Sequence, residues 1–257
     1  MKLLSGPLRS AAGKVLRTTG LVSSPGSQPS PESSFHGHHY LRHNQRRQEH
    51  LASLGLPIAG ASVLEVAAGI GDHTTFFLDR GCTVVSTEAR PENLAMLRQR
   101  YPSMDVRQLD LDNPVDLGRS FDIVYCYGAL YHLYRPAEAL AFMAGCCRRM
   151  LLLETCVSYG DHQAVNLVDE VAGDPTQSAV GRGCRPTRSW IHHQLRQLFE
   201  HVYIPRTQPN HEEFPLDWTA PPPPATLLTR SVFIASRQPL ENRQLTEELL
   251  VQQVRQG

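Results

Sequence analysis

Residues 63–74, with the sequence VLEVAAGIGDHT, place one acid and two glycines where an apolar run gives way to a polar one. Glu65 lies near the end of the apolar run, and Gly69 and Gly71 follow in a short loop. Glycine lets the backbone pass close to a ligand where a Cβ atom would collide, and the start of a following helix offers free N–H groups. The segment therefore predicts a loop that binds a nucleotide-sized ligand.

Three later apolar runs also end in residues that could contact a ligand. Glu88 closes CTVVSTE, one β-α-β step beyond Glu65, where a carboxylate can accept hydrogen bonds from both hydroxyls of a ribose. Asp110 follows the next run and could accept a hydrogen bond from an adenine amine. The run FDIVYCYGALYHL then ends in Tyr127, Gly128, Tyr131 and His132.

The glycine spacing disfavours a nicotinamide oxidoreductase. The dinucleotide fingerprint G-x-G-x-x-G requires a third glycine three positions after Gly71, and Thr74 occupies that position. Ala67 and Ala68 depart from it further.

The apolar runs alternate with segments of helical periodicity. We expect strands at 62–67, 82–88, 104–109, 121–127 and 150–155, helices at 40–54, 72–80, 91–101 and 136–147, and later a helix at 190–199 with strands at 201–205 and 231–236. Such alternation predicts an α/β fold with a parallel sheet that is covered on both faces, and ligands then bind at the carboxyl ends of the strands.

With these signals in this order, residues 60–155 resemble the class I S-adenosylmethionine-dependent methyltransferase family. The resemblance implies a Rossmann-like, mostly parallel seven-stranded sheet with helices on both faces, and S-adenosyl-L-methionine as cofactor. It places Glu65, Gly69 and Gly71 around the methionine part of the cofactor, Glu88 at the ribose, and Asp110 and Leu111 at the adenine. Tyr127 completes the expected set, together with Ala67, which stands where the family pattern acid-x-Gly-x-Gly-x-Gly has its first glycine.

Methyl transfer from a sulfonium is a direct displacement, so the protein mainly aligns the reactants and excludes water. A hydroxyl acceptor also needs a base, and His132 is the candidate catalytic residue; the alternative is that His132 only positions the acceptor. The segments CYGALYHL and GRGCRPTR resemble small-molecule methyltransferases of sugar or secondary metabolism. Transfer to a small-molecule hydroxyl is therefore the expected function. A transfer-RNA-modifying enzyme and a non-catalytic methyltransferase-like binding protein are the alternatives.

The chain divides by composition into four parts. Residues 1–39 carry an acid-poor, Ser/Pro/Gly-rich stretch and are expected to be a basic, disordered extension. Residues 40–237 are the expected methyltransferase domain, with a cofactor half at 60–155 and substrate-side segments at 156–188 and 208–229. A helix is expected at 238–257.

The 257 residues include 25 basic and 25 acidic ones, a balance that disfavours a nucleic-acid partner. No run approaches the roughly 20 apolar residues of a membrane span. Six cysteines without a CxxC pair are typical of reduced core residues, so a cytoplasmic location is expected, while the oligomeric state stays open.

Two segments of the chain, at 36–43 and 211–218, contain histidines together with other polar residues. The cluster His36, His38, His39 and His43 follows no recognised ligand pattern, and we therefore expect no metal site. His211, Glu212 and Glu213, with Asp217 and Trp218, form either a polar substrate wall or a solvated loop.

Arg182, Arg185 and Arg188 either bind an anionic acceptor or carry solvated surface charge.

Overall fold

The computed structural model describes residues 30–223 and 228–257. The expectations for residues 1–29 lie outside that range. The strands of the described chain are β1 (Ser62–Glu65), β2 (Thr83–Glu88), β3 (Asp105–Gln108), β4 (Phe121–Tyr127), β5 (Cys147–Cys156), β6 (Leu167–Asp169), β7 (Arg182–Cys184), β8 (His201–Pro205), β9 (Thr207–Gln208), β10 (Arg230–Ser236), β11 (Leu245–Thr246) and β12 (Val254–Arg255).

Eight of these strands form one mixed sheet in the order β11-β8-β10-β5-β4-β1-β2-β3. From β3 to β5 all neighbours are parallel, whereas β10 runs antiparallel to both β5 and β8. The predicted fold class is confirmed. The seven predicted strands are present, and the two-residue strand β11 adds an eighth by pairing with β8.

The helices are α1 (Pro31–Phe35), α2 (His38–Ser53), α3 (Thr74–Leu78), α4 (Pro91–Arg100), α5 (Pro136–Cys146) and α6 (Arg188–Leu198), with a 3-10 turn at Leu130–His132. Proline opens α1, α4 and α5, where its missing N–H and fixed φ cost nothing. Thr187 caps α6 by accepting a hydrogen bond from the Trp190 N–H.

Successive side chains along each strand point to opposite faces of the sheet, and a hydrophobic core forms on each face. Leu64 and Val124 face one core, to which α5 and α6 contribute Leu140 and Ile191. Neighbouring strand residues such as Val63 face the other core, where α2 and α3 pack. This two-sided burial holds the strand ends in fixed positions.

Part of the extension expected to be disordered at 1–39 is helical, because α1 spans Pro31–Phe35 and α2 begins at His38. Ser30 caps α1 by accepting a hydrogen bond from the Ser33 N–H, and Phe35 is buried. The Phe35 ring packs edge-on against Tyr40 with 5.2 Å between centroids. Burial of this aromatic pair offsets the entropy of ordering the segment.

The expected helix at 238–257 was wrong. The segment is extended, since β11 pairs with β8 and β12 pairs with β9, so the sheet edges supply partners for its backbone groups. Gln253 fixes this path: its Nε2 donates to the Pro205 carbonyl, and its Oε1 accepts from Trp218 Nε1 at 2.8 Å. These pairings outweigh the helix propensity of a Glu-, Leu- and Gln-rich sequence.

All six cysteines are free and buried. Within the described ranges, no helix is long and apolar enough to cross a membrane.

Candidate functional site

A cavity opens at the carboxyl ends of β1, β2 and β4. Its walls combine the loop after β1, the start of α2, the turn after β4 and residues 175–180. Of the residues singled out from the sequence, those that line it are Glu65, Ala67, Gly69, Glu88, Asp110, Leu111, Tyr127 and His132.

The loop after β1 has an unusual backbone. Ala67 has a φ of +50°, a left-handed conformation that costs an L-residue with a Cβ atom roughly 1–2 kcal/mol. Gly69 has a φ of +59°, and a Cβ atom there would lie 2.8 Å from Cε1 of Phe35. The first position thus tolerates a methyl group under strain, whereas the second has no room for one.

Gly71 does not line the cavity, contrary to its expected place beside the methionine part of the cofactor. A Cβ atom at Gly71 would lie 2.6 Å from side-chain atoms of both Leu97 and Tyr101. Leu97 lies in α4, and Tyr101 directly follows that helix. The Tyr101 hydroxyl donates to the Gly71 carbonyl at 2.8 Å. Gly71 therefore serves close packing of the loop against α4.

Glu88 lies at the end of β2 and is 6 % exposed. Its Oε2 accepts from the Gly69 N–H and its Oε1 from the Arg90 N–H, each at 2.8 Å. Burial raises the pKa of Glu88, and these N–H donors act against that rise. The carboxylate keeps further lone pairs for a ligand, because each oxygen can accept more than one hydrogen bond.

Glu65 is buried beneath the loop. It accepts hydrogen bonds from the hydroxyls of Thr74 and Ser86, and burial raises its pKa to about 7. The carboxyl group thereby ties β1 to β2 and to the start of α3.

The segment after β3 shapes another wall. Asp110 accepts from the Asp112 N–H and from Asn113 Nδ2, both at 2.9 Å, while Leu111 is buried in the core. Asp112 accepts from the backbone N–H groups of residues 134 and 135, which joins this segment to the turn after β4.

Tyr127 ends β4 and stacks on Tyr125 with 4.5 Å between ring centroids. Its hydroxyl is buried and has no hydrogen-bond partner among the described residues. Burial raises its pKa, so the hydroxyl stays protonated and can donate to a ligand.

His132 pairs with an acid that sequence reasoning missed. Its Nδ1 lies 2.6 Å from Oε2 of Glu170, which follows β6, and Arg185 contacts the other oxygen of Glu170 at 3.3 Å. Burial lowers the pKa of His132, although Glu170 acts in the opposite direction. His132 is therefore neutral at neutral pH, and its Nε2 bonds to no residue that the structure describes.

Glu170 carried no local sequence signal, because it lies 38 residues from His132 in an irregular, polar segment. The prediction that 156–188 is a substrate-side segment was the nearest indication. Of the three arginines in that segment, Arg185 joins Glu170, and Arg188 is buried over the Trp218 ring at 3.9 Å.

Arg47, which lines the cavity, belongs to a cluster of buried charges that the sequence did not reveal. Arg47 of α2 donates to Glu154 at 2.7 Å, and Arg230 donates to the other Glu154 oxygen at 3.1 Å. A Cβ atom at Gly128 would lie 2.8 Å from Nη1 of Arg47, so this glycine makes room for the guanidinium. Arg230 also donates to the Tyr131 hydroxyl at 3.1 Å.

Residues 63–151 match the sequence model of a family described as a methyltransferase domain, a range that contains β1 to β4 and the glycine loop. The family match and the fold together indicate a methyltransferase domain at residues 63–151.

Solved methyltransferase structures share the fold of this chain. The N-terminal domain of EvdMO1, crystallised in the presence of S-adenosylhomocysteine and D-fucose, has a TM-score of 0.55 at 19 % identity, over 79 % of this chain and 85 % of that one. Magnesium protoporphyrin IX methyltransferase from Synechocystis PCC 6803 gives 0.53 at 14 % identity, over 78 % and 85 %. A methyltransferase from Mesorhizobium loti gives 0.53 at 16 %, over 75 % and 98 %. No curated protein matches the chain.

Proposed function

We propose that the protein is a class I methyltransferase that transfers a methyl group from S-adenosyl-L-methionine to a hydroxyl of a small-molecule acceptor, with His132 as the base. One observation carries this proposal: Nδ1 of His132 lies 2.6 Å from the Glu170 carboxylate, on the wall of the cavity that Glu88 and the glycine loop also line.

The cofactor would occupy the part of the cavity between Glu88 and Gly69. Glu88 would accept hydrogen bonds from the ribose hydroxyls, and Asp110 with Leu111 would contact the adenine. Two features of the cavity support this fit. Gly69 lines the cavity without a side chain of its own, and the unpartnered Tyr127 hydroxyl offers a donor to a ligand.

The methionine part of the cofactor would lie along the loop after β1, near Ala67 and the buried carboxyl group of Glu65. Glu65 is already bonded to Thr74 and Ser86, so its role would be to hold the loop in shape for the ligand. S-adenosylmethionine supplies an electrophilic methyl group on its sulfonium.

His132 would take the proton that the hydroxyl loses. With the Nδ1 proton held by Glu170, the lone pair on Nε2 is left free to accept it. The acceptor oxygen would gain the methyl group that the cofactor supplies, with S-adenosylhomocysteine as the leaving group, and its proton would move to Nε2 of His132. Glu170 then stabilises the imidazolium that forms.

A sugar or another hydroxylated metabolite is the acceptor class we favour. The cavity wall beyond Tyr127 bears polar groups of Tyr40, Asn44 and Arg47, which suit hydroxyl recognition. The EvdMO1 domain of the same fold was crystallised with D-fucose, and this lends support to the sugar class.

The test is a methyl-transfer screen with isotope-labelled S-adenosylmethionine over sugars, phenols, amines and short RNAs, with the methylated atom identified by NMR. We expect an O-methyl ether of a small molecule. A product methylated on nitrogen or carbon, or on RNA alone, would overturn the proposal.

A further inference from the structure

Two histidine-bearing segments that are distant in the sequence meet in the fold. His39 and His43 of α2 lie against residues 211–213 of the long insertion before β10. Nε2 of His39 is 3.2 Å from Oε1 of Glu213, and Nδ1 of His39 is 4.0 Å from Oε1 of Glu212. His211 approaches the same Glu212 oxygen, with its Nε2 at 3.7 Å.

Two imidazole nitrogens in this cluster are buried and unpaired. The side chain of His211 is 0 % exposed and that of His43 is 5 % exposed, and Nε2 of each lacks a hydrogen-bond partner within the described chain. Buried polar atoms in proteins are nearly always paired, and exceptions point to an absent ion, water or ligand. The His211 nitrogen faces the acids rather than an apolar core.

We propose that His39, His211 and Glu212 bind one divalent transition-metal ion. One ligand atom from each of the three lies within 4.8 Å of the others. Ligand atoms around a tetrahedral Zn²⁺, with bonds of about 2.1 Å, lie roughly 3.4 Å apart. His39 and Glu212 can close the difference by side-chain rotation, because they are 60 % and 44 % exposed.

The donor set selects the kind of ion. Imidazole nitrogen with one carboxylate suits Zn²⁺, Ni²⁺ or Co²⁺, whereas Mg²⁺ and Ca²⁺ prefer oxygen ligands only. Glu213 lies beside the site, but its Oε2 accepts from Arg230 at 2.6 Å, which leaves Oε1 on the side of His39.

Two existing interactions compete with the ion. The Glu213 N–H donates to Nδ1 of His211 at 3.3 Å, so ligation through Nε2 moves the ring proton to Nδ1 and releases that long bond. Arg42 pairs with Glu212 and must share its carboxylate. We therefore expect weaker binding than in a closed structural zinc site.

A bound ion would join α2 to the insertion beside the acceptor end of the cavity. The same helix supplies Tyr40, Asn44 and Arg47 to the cavity wall. Metal binding would therefore fix this wall and raise thermal stability. The inference is independent of the methyl acceptor.

Calorimetric titration of tag-free full-length protein with Zn²⁺ tests the site, and the Co²⁺ absorption spectrum reports the ligand geometry. We expect one ion per chain, and no comparable binding of Mg²⁺. His39→Ala and Glu212→Gln should each weaken Zn²⁺ binding at least about 10-fold. His38→Ala is the matched control, since His38 is exposed on the same helix, and it should bind like wild type.

Thermal unfolding gives a second readout. Zn²⁺ at about 100 times its Kd should raise the Tm of wild type and of His38→Ala by about 5 °C or more, and should leave His39→Ala nearly unchanged. His211→Ala removes a buried ring and is therefore not needed for the test. His39→Ala and Glu212→Gln, at exposed positions, carry it. Absence of one-to-one binding, or unchanged affinity in both His39→Ala and Glu212→Gln, would overturn the proposal.

Discussion

The backbone N–H of Gly69 donates to Oε2 of Glu88 across 2.8 Å, which connects the loop after β1 to the end of β2. Oε1 of the same carboxylate accepts from the Arg90 N–H. The residue proposed to hold the ribose thus also holds the cofactor loop. Cofactor affinity and fold stability are coupled at this position.

Glu88→Ala should weaken binding of S-adenosylhomocysteine by about 1–3 kcal/mol, because the ribose hydroxyls lose a charged acceptor. It should also lower the free energy of unfolding by about 1–3 kcal/mol, because two buried N–H groups lose their partner. Titration calorimetry and urea unfolding measure the two effects. Glu88→Gln, which keeps one acceptor oxygen, should lose less stability than Glu88→Ala; equal affinity of wild type and both variants would exclude the ribose role.

Ala67→Gly should preserve cofactor binding and leave the free energy of unfolding equal or up to about 1 kcal/mol higher. Glycine relieves the cost of φ +50°, although it also increases the entropy of the unfolded chain. Ala68→Gly is the matched control, because Ala68 is not among the residues of positive φ, and it should only destabilise. Chemical unfolding measures the free energy of unfolding of both variants. A large decrease in that free energy for Ala67→Gly would mean that the Ala67 methyl group makes specific packing contacts.

The positions of the strands and the residues that end them could be predicted from sequence, because apolar runs and the residues that end them are local patterns. Glu65 and Glu88 are examples. Glu170 could not be predicted, since its approach to His132 depends on how an irregular segment returns over the sheet. Burial of Arg47 against Glu154 depends likewise on packing of α2, whose arginine-rich sequence resembles that of a solvated helix.

The C-terminal segment shows the opposite error. Its helix propensity was clear in the sequence, but the open edge of β8 pairs with β11, and the short segment β9 pairs with β12. Both partners lie far from the C-terminal segment in sequence, so local propensity does not reveal them. Gly71 shows a related limit. The sequence resemblance placed Gly71 beside the cofactor, whereas its close approach to Tyr101 depends on how the loop packs against α4.

Acid should destabilise the protein through buried neutral histidines such as His50. Burial lowers the pKa of His50 to about 4, while its Nε2 bonds to the Thr207 carbonyl at 3.0 Å. The folded pKa lies below that of the unfolded chain, about 6.5, so this contribution is complete above pH 6.5 and is lost as the pH falls towards 4.

His50→Gln keeps a donor for Thr207 but cannot be protonated. Between about pH 6.5 and 5.5, the free energy of unfolding of wild type should therefore fall by about 1 kcal/mol more than that of His50→Gln. Urea unfolding across this range measures the slopes. Parallel slopes would show that His50 is not held neutral by the fold.

Glu170→Gln tests how His132 is oriented. An amide can present an N–H to Nδ1, which would place the ring proton on Nε2 and leave no lone pair for the acceptor. The turnover should fall at least about 10-fold, with little change in S-adenosylhomocysteine affinity. A change in acceptor KM alone would instead mean that Glu170 only supports the substrate-side segment at 156–188.

The central claim is that neutral His132 takes the hydroxyl proton, and the pH profile of kcat/KM for wild type and His132→Gln tests it most directly. Burial lowers the pKa of His132 below 6.5, so the wild-type rate should be level near neutrality and fall only at more acidic pH, as the ring becomes protonated. His132→Gln should reduce turnover about 10²- to 10⁴-fold, abolish that acidic limb and leave cofactor affinity unchanged. An undiminished rate in the variant, or the same acidic limb in both proteins, would contradict the account.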